Sequence, residues 1–184
     1  MLHETLCARR RFLSLGAAVL AAPMLVLPRK SHASSAPRSL SFEHLHTGEK
    51  LSLVYAMGDQ YVQAALQGVR QFLRDFRNGE THVIDPALLD QLHTLAGATG
   101  THAPFQVISG YRSPVTNAML RREGHGVATA SLHLQGQAID IRLADVALAD
   151  LRDAALSLHA GGVGYYPSAD SNFVHVDTGA VRRW

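Results

Sequence analysis

Two histidines and one aspartate stand at a spacing that could hold a hydrolytic metal ion. His133 and Asp140 lie in the segment Ser-Leu-His-Leu-Gln-Gly-Gln-Ala-Ile-Asp, and His175 follows 35 residues after the aspartate. Zinc enzymes that activate water commonly use three protein ligands of these types and leave a fourth position open. We therefore treat these three residues as candidate zinc ligands.

The spacing also constrains how the chain must run between the first two candidates. The step from His133 to Asp140 would span about 23 Å in a strand and about 10 Å in a helix, so neither element brings both side chains to one ion. The chain must fold back, and Gly136 stands where a tight turn would need it. The aspartate is then predicted on a strand over residues 137–142, and the second histidine on a strand over residues 172–177.

The surrounding sequence predicts an α+β domain that would position these strands. Apolar residues alternate on both sides of Gly48 between positions 41 and 55, which predicts a hairpin. Helices are predicted mostly first and short strands last, which is typical of an α+β domain with a small antiparallel sheet flanked by helices. The predicted helices cover residues 59–77, 85–97, 114–123 and 145–159, and further strands cover residues 105–109 and 163–166.

Residues 1–33 are predicted to be a targeting segment rather than part of the fold. Arg9–Leu13 precedes an apolar run over residues 15–27, and its Arg-Arg-x-Phe-Leu order resembles a twin-arginine export signal. Ser-His-Ala at residues 31–33 offers a cleavage site of small residues. The apolar run has about 13 residues, fewer than the ~20 that a membrane span needs. Basic residues follow the run, so an uncleaved anchor remains an open alternative.

The composition changes when this segment is removed. The full chain has a net charge of +2 and a sequence pI of about 8.9. Residues 1–33 hold five basic residues, one acidic residue and the single cysteine, Cys7, so the rest of the chain carries a net charge of −2. It has no nucleic-acid motif, and disulfides and cysteine ligands are excluded there. We expect a flexible lead-in over residues 34–39, followed by one domain over residues 40–184.

The pattern Ser-x-His-x-x-Gly-x-Ala-x-Asp, with a later histidine in a strand, resembles the zinc signature of the D-alanyl-D-alanine metallopeptidases. That superfamily includes penicillin-insensitive murein endopeptidases and the hedgehog-like fold. Ser-Gly-Tyr-Arg-Ser at residues 109–113 resembles its substrate-arginine motif. The segments at residues 161–167, 172–179 and 181–184 are similar to those of the murein endopeptidase K-like group of periplasmic enzymes. The resemblance covers residues 40–184.

This resemblance implies a zinc peptidase that acts on the peptide cross-links or stem peptides of peptidoglycan. Zn²⁺ would be held by His133, Asp140 and His175. Arg112 would be the donor to the developing oxyanion or the clamp on a substrate carboxylate, because its planar fork binds carboxylates in a bidentate way. The choice between endopeptidase and carboxypeptidase remains open. The implied location is the periplasm, reached through the twin-arginine export machinery, with contact to the membrane only through the signal.

The general base is the part of the site that departs from the family pattern. The D-alanyl-D-alanine peptidases carry a glutamate three residues before the last histidine, where this chain has Asn172, which cannot accept the proton. Related murein endopeptidases carry a histidine two residues before it, where this chain has Phe173. Asp177 would share a strand face with His175. It could be the base, it could orient a ligand, or it could be a turn carboxylate.

Two further residues are candidates for contact with the substrate. Ser131 could form a hydrogen bond in the site, although a turn-capping role is equally compatible with its position. His125 lies in a predicted loop just before the zinc signature. Two alternatives to a peptidase also remain: a non-catalytic peptidoglycan-binding module with a structural metal, and a non-haem iron oxygenase with a facial triad. The long gap between the first two ligands disfavours the oxygenase.

Overall fold

The structure of the protein is a computed structural model that describes residues 36–124 and 127–184. The predicted targeting segment and His125 lie outside the described residues. Within the described part, none of the helices has the length and apolar character that crossing a membrane requires. The strands are β1 Pro37–His44, β2 Lys50–Met57, β3 Gln60–Tyr61, β4 Phe105–Ser109, β5 Ala138–Arg142, β6 Gly162–Tyr166, β7 Phe173–Asp177 and β8 Arg182–Arg183, and the helices are α1 Gln63–Phe72, α2 Pro86–Thr99, α3 Pro114–Arg122 and α4 Leu148–Ser157.

The described residues form an α+β fold, which confirms the predicted class. One eight-stranded sheet runs through them in the order β3-β2-β1-β4-β5-β7-β6-β8. Most neighbouring strands are antiparallel, but β4 lies parallel to β1, and β8 lies parallel to β6. The predicted sheet was therefore too small and lacked the parallel pairs. Local alternation does not report a pairing between strands as distant in sequence as β1 and β4, and a two-residue strand such as β8 has no alternation to read.

The predicted lead-in over residues 34–39 is wrong from Pro37 onward, because β1 begins there. Pro37 pairs with Met57 of β2, and the register shifts just after Arg38. The Arg38 guanidinium forms an ion pair with Asp90 of α2. This anchor holds the start of the strand in the sheet, whereas sequence composition alone suggested a free segment.

The first predicted helix, over residues 59–77, is also longer than α1. A short strand, β3, occupies its expected start. At the other end, the buried carboxylate of Asp75 accepts hydrogen bonds from the backbone N–H groups of Arg77 at 3.1 Å and Ser113 at 2.9 Å. Asp75 therefore lies in a turn after the helix and also fixes the loop that leads into α3. Arg112 belongs to that loop, so the direction of the loop matters for the site.

Successive side chains of the central strands point to opposite faces of the sheet, one facing the core and the other facing the candidate site. Helices α1, α2 and α4 pack against the sheet and form a single hydrophobic core with it. Strands β5 and β7 contribute four fully buried aliphatic side chains to this core, Ile139, Ile141, Val174 and Val176. Asp140 and His175 occupy the intervening positions, so they project from the opposite face of the sheet.

Candidate metal centre

A tight turn brings the first histidine to the strands that carry the other two candidates. His133 lies on a single-turn 3-10 helix, Leu132–Gln135, which ends at Gly136 with a φ of 66°. A Cβ at Gly136 would also overlap the Val83 carbonyl, so only glycine fits this turn. The next strand, β5, then places Asp140 directly opposite His175 of β7.

The ligand atoms of the three residues converge at distances that suit a tetrahedral ion. His133 Nε2 lies 3.2 Å from His175 Nδ1 and 3.3 Å from Asp140 Oδ1, and His175 Nδ1 lies 2.9 Å from Asp140 Oδ1. Zinc bonds of about 2.0–2.2 Å at tetrahedral angles place neighbouring ligand atoms roughly 3.3 Å apart. All three side chains are buried, and they form the group that could hold a metal within the described residues.

Both imidazoles are oriented by hydrogen bonds from their remote nitrogens. His133 Nδ1–H donates to the Gly110 carbonyl at 2.7 Å, and His175 Nε2–H donates to Asp177 Oδ2 at 3.1 Å. Each ring therefore turns its other nitrogen toward Asp140 Oδ1. This is the arrangement by which proteins fix the tautomer of histidines that bind a metal, so the donor set fits zinc.

The electrostatics of the cluster follow from burial and close contact. Burial alone would raise the pKa of Asp140, but the two histidines outweigh it and hold that pKa well below its usual range. Burial lowers the pKa of His133, against the charge of Asp140. Burial would also lower the pKa of His175, but hydrogen bonds to Asp140 and Asp177 raise it to about 9. A metal ion would compete with the proton on His175, because ligand histidines bind in their neutral form.

Asp177 lies behind His175 rather than on the wall of the cleft. Its fully buried carboxylate accepts hydrogen bonds from the backbone N–H groups of Gly162 and Gly179, both at 2.9 Å, and from Arg182 Nη2 at 2.7 Å. Burial would raise the pKa of Asp177, but the hydrogen bond from His175 and those from the Gly162 and Gly179 N–H groups lower it to about 2. A carboxylate so enclosed has no access to a water in the cleft. These contacts are those expected of a group that orients His175, and the general base stays a prediction.

Arg112 lies beside the candidate ligands, and part of its guanidinium group is available to bind a further oxygen atom. Its Nη2 is 3.6 Å from Asp140 Oδ2, and its backbone N–H donates to the His133 carbonyl at 3.1 Å. The side chain is buried, and among the described residues its Nε has no hydrogen-bond partner. Burial lowers the pKa of Arg112, against the charge of Asp140. An unpaired buried guanidinium N–H is costly, so this group is suited to receive an anionic or carbonyl oxygen.

The candidate ligands open into a cleft of about 340 Å³. Ser131 lines the cleft, and its side chain makes no capping hydrogen bond to the 3-10 helix that follows. The capping alternative therefore receives no support, and a contact with substrate stays a prediction. The other lining residues are Arg112, Val127, Ala128, Ala130, Leu132, His133, Asp140, Tyr166, Phe173, His175, Arg182 and Trp184.

Sequence reasoning assigned no role to three features that the structure places at the cluster. They are the carbonyl of Gly110, the guanidinium of Arg182 on Asp177, and the ring of Trp184, whose centroid lies 5.2 Å from that of His175. The segment over residues 181–184 attracted notice only through its family resemblance. Its contacts depend on the pairing of β8 with β6, which no local pattern in the sequence indicates.

Comparison with known proteins adds an independent line of information. The family model described as peptidoglycan L,D-endopeptidase MepK matches residues 32–184. The peptidoglycan L,D-endopeptidase MepK of Escherichia coli (strain K12) is 47% identical over 177 residues, which cover 96% of both chains. The probable peptidoglycan L,D-endopeptidase MepK of Haemophilus influenzae is 42% identical over 180 residues, which cover 96% of this chain and 95% of the relative.

A solved structure also shows a weak likeness. The L-Ala D-Glu endopeptidase ChiX of Serratia marcescens is 18% identical and matches with a TM-score of 0.37, covering 52% of this chain and 80% of that chain. A likeness at this level carries no argument about the site.

Proposed function

This chain belongs to the peptidoglycan L,D-endopeptidase MepK family, and on that basis we propose that it hydrolyses peptide cross-links of peptidoglycan with a zinc ion held by His133, Asp140 and His175. The observation that carries the proposal is the convergence of two imidazole nitrogens and one carboxylate oxygen within 3.3 Å of one another, beside Arg112, whose Nε has no hydrogen-bond partner among the described residues. A zinc ion there would supply Lewis acidity toward a water molecule and the amide carbonyl.

The residues around the ion would each have a separate role in binding the substrate or in holding a ligand. Arg112 would hold a substrate oxygen, either the carbonyl oxygen as it gains charge or a carboxylate next to the bond that is cut. Asp177 would hold His175 in the orientation that turns Nδ1 to the ion, and Arg182 would hold Asp177 in turn. Ser131 would contact the bound peptide from the cleft wall.

The class of bond and the location follow from the family and from the sequence. The relatives are named as L,D-endopeptidases of peptidoglycan, so we propose cleavage within a cross-link, at a bond between an L-configured and a D-configured centre, rather than removal of a terminal residue. The twin-arginine-like motif in residues 1–33 supports export of the protein to the periplasm, where this substrate lies.

Digestion of purified cross-linked muropeptides by the purified protein tests this function. We expect chromatography and mass spectrometry to show cross-linked dimers converted to monomers, with no release of free amino acids. A chelator should stop the reaction, and added Zn²⁺ should restore it. Binding of muropeptides without cleavage by the zinc-loaded protein would instead identify a non-catalytic binding module, and release of a single terminal amino acid would identify a carboxypeptidase.

Replacing Asp177 with asparagine tests the orienting role. The amide keeps the shape of the carboxylate but offers only one oxygen acceptor to His175, Arg182 and the backbone donors. We expect the affinity for zinc to weaken by about 10–100-fold, with activity recovered at high zinc concentration. Metal titration followed by an activity assay at saturating zinc measures both.

Asp59→Asn is a matched control, because Asp59 is exposed in the turn before β3, on another part of the sheet. It should behave as the unmodified protein does. An Asp177→Asn variant with normal zinc affinity and turnover reduced at saturating zinc would contradict the orienting role, and it would point to proton transfer by Asp177 instead.

A further inference from the structure

The face of the sheet that carries the candidate ligands continues beyond them to β6. Asp140 of β5, His175 of β7 and Gly164 of β6 stand directly opposite one another across three neighbouring strands. Because directly opposite residues in antiparallel strands share a face, all three positions point to the cleft. Tyr166, two residues after Gly164 on the same strand, shares that face.

The ring of Trp184 occupies the space that a side chain at Gly164 would fill. A Cβ at Gly164 would lie 2.8 Å from two atoms of the indole, Nε1 and Cε2, which is closer than real Cβ atoms approach other atoms. The backbone of Trp184 is held on β6, where its N–H donates to Val163 at 3.2 Å and its carbonyl accepts from Tyr165 at 3.1 Å. The indole therefore lies over Gly164 beside the candidate ligands, and 49% of Trp184 remains exposed.

The indole orients the hydroxyl of Tyr166. Trp184 Nε1 lies 2.6 Å from Tyr166 Oη, and an indole nitrogen can only donate, so the tyrosine oxygen is the acceptor. The proton of that hydroxyl is then free to be donated elsewhere. Among residues 36–124 and 127–184, no side chain or backbone group accepts it. Tyr166 lines the cleft together with Arg112 and His175.

The aromatic ring below this hydroxyl is also restrained. Tyr166 stacks on Phe173 of β7, with ring centroids 4.6 Å apart, and Phe173 is its direct cross-strand partner. The hydroxyl is therefore held by a stack on one side and by a hydrogen bond on the other. A donor restrained before the substrate arrives does not need to reorganise during the reaction, which is the condition for effective stabilisation of developing charge.

We propose that Tyr166 is a further catalytic residue, which donates a hydrogen bond from its hydroxyl to the carbonyl oxygen of the scissile amide as that oxygen gains negative charge. Trp184 is a positioning residue, because its N–H directs the hydroxyl and strengthens it as a donor. Tyr166 keeps its proton throughout, so it stabilises charge and transfers no proton. The proposal rests on the peptidase function proposed above and adds to the chain a neutral donor to the substrate besides Arg112.

Tyr166→Phe tests this proposal, because it removes the hydroxyl and keeps the ring that stacks on Phe173. We expect kcat to fall by about 10²-fold, as for other single donors to an oxyanion, with KM and zinc affinity nearly unchanged. A phosphinate analogue of the cross-link, which mimics the tetrahedral state, should bind the zinc-loaded variant more weakly by a similar factor. Trp184→Phe should lower kcat by a smaller factor of about 10, because it leaves the hydroxyl but removes its orienting donor.

Tyr165→Phe is the matched control, since Tyr165 is the neighbouring residue on the opposite face of β6, with Arg152 4.5 Å from its ring. It should leave kcat and phosphinate affinity unchanged. A Tyr166→Phe variant with the kcat of the active unmodified protein would overturn the proposal for Tyr166 alone, and so would a loss confined to KM or to zinc affinity. An unmodified protein that leaves muropeptides intact would overturn the proposed peptidase function, and this proposal with it.

Discussion

Replacing His175 with alanine is expected to abolish zinc binding and muropeptide cleavage together. The substitution removes one of three protein ligands and leaves the Asp140 carboxylate buried with fewer partners. Two remaining ligands do not make a stable zinc site, because catalytic zinc is held by three protein ligands. Zinc content after dialysis, measured by mass spectrometry, should fall to background, and cross-linked dimers should persist in the digestion assay.

His133→Ala should give the same result, and a histidine outside the cluster provides the control. His102 is exposed beyond the end of α2, and its backbone N–H donates to Asp145 Oδ2 at 3.2 Å. His102→Ala should retain zinc and activity. Circular dichroism must show that the variants are folded. A folded His175→Ala protein that cleaves muropeptides at the normal rate would show that the chemistry lies elsewhere in the chain.

The convergence of the three candidate ligands could be predicted because its determinants are local. The chain needs one glycine to fold back between His133 and Asp140, and the turn at Gly136 has the expected left-handed backbone. Strand alternation around Asp140 and His175 separates them from the aliphatic residues on either side. Two short segments, residues 131–140 and 172–177, therefore carry most of the information that brings the candidate ligands together.

The contacts of Asp177 could not be predicted in the same way. The sequence correctly placed Asp177 on the same strand face as His175, but it could not indicate which ring nitrogen would turn to that carboxylate. The choice depends on Gly162 and Arg182, which enclose the carboxylate from β6 and β8. Those contacts arise from strand pairing, and the pairing of a two-residue strand leaves no periodic pattern in the sequence.

The helix predicted over residues 59–77 was too long for a related reason. Phe76 continues the apolar periodicity, but it lies beyond α1 and stacks on His46, with ring centroids 4.3 Å apart. Its apolar character serves a tertiary contact with the turn after β1 and not a helix face. Tertiary packing overrides local periodicity at such positions, whereas the capped start of α2 at Asp85 and Pro86 was predicted correctly.

Arg112→Lys is expected to lower kcat/KM by about 10²–10³-fold while zinc stays bound. Lysine preserves the positive charge but replaces a planar fork of donors with a single flexible ammonium group. The fork is held in place here by burial and by the contact of Nη2 with Asp140 Oδ2 at 3.6 Å, so its spare N–H groups have a fixed direction. Loss of one well-placed donor to an oxyanion commonly costs a factor of this size.

The fall in kcat/KM can appear in kcat or in KM, and this distinction identifies the substrate oxygen that Arg112 binds. A contact with the carbonyl oxygen forms fully only in the transition state, so its loss lowers kcat and leaves KM unchanged. A clamp on a substrate carboxylate acts in the ground state as well, so its loss raises KM. Arg121→Lys is the matched control, because Arg121 is exposed on α3. Normal kcat/KM in a zinc-loaded Arg112→Lys protein would exclude both roles.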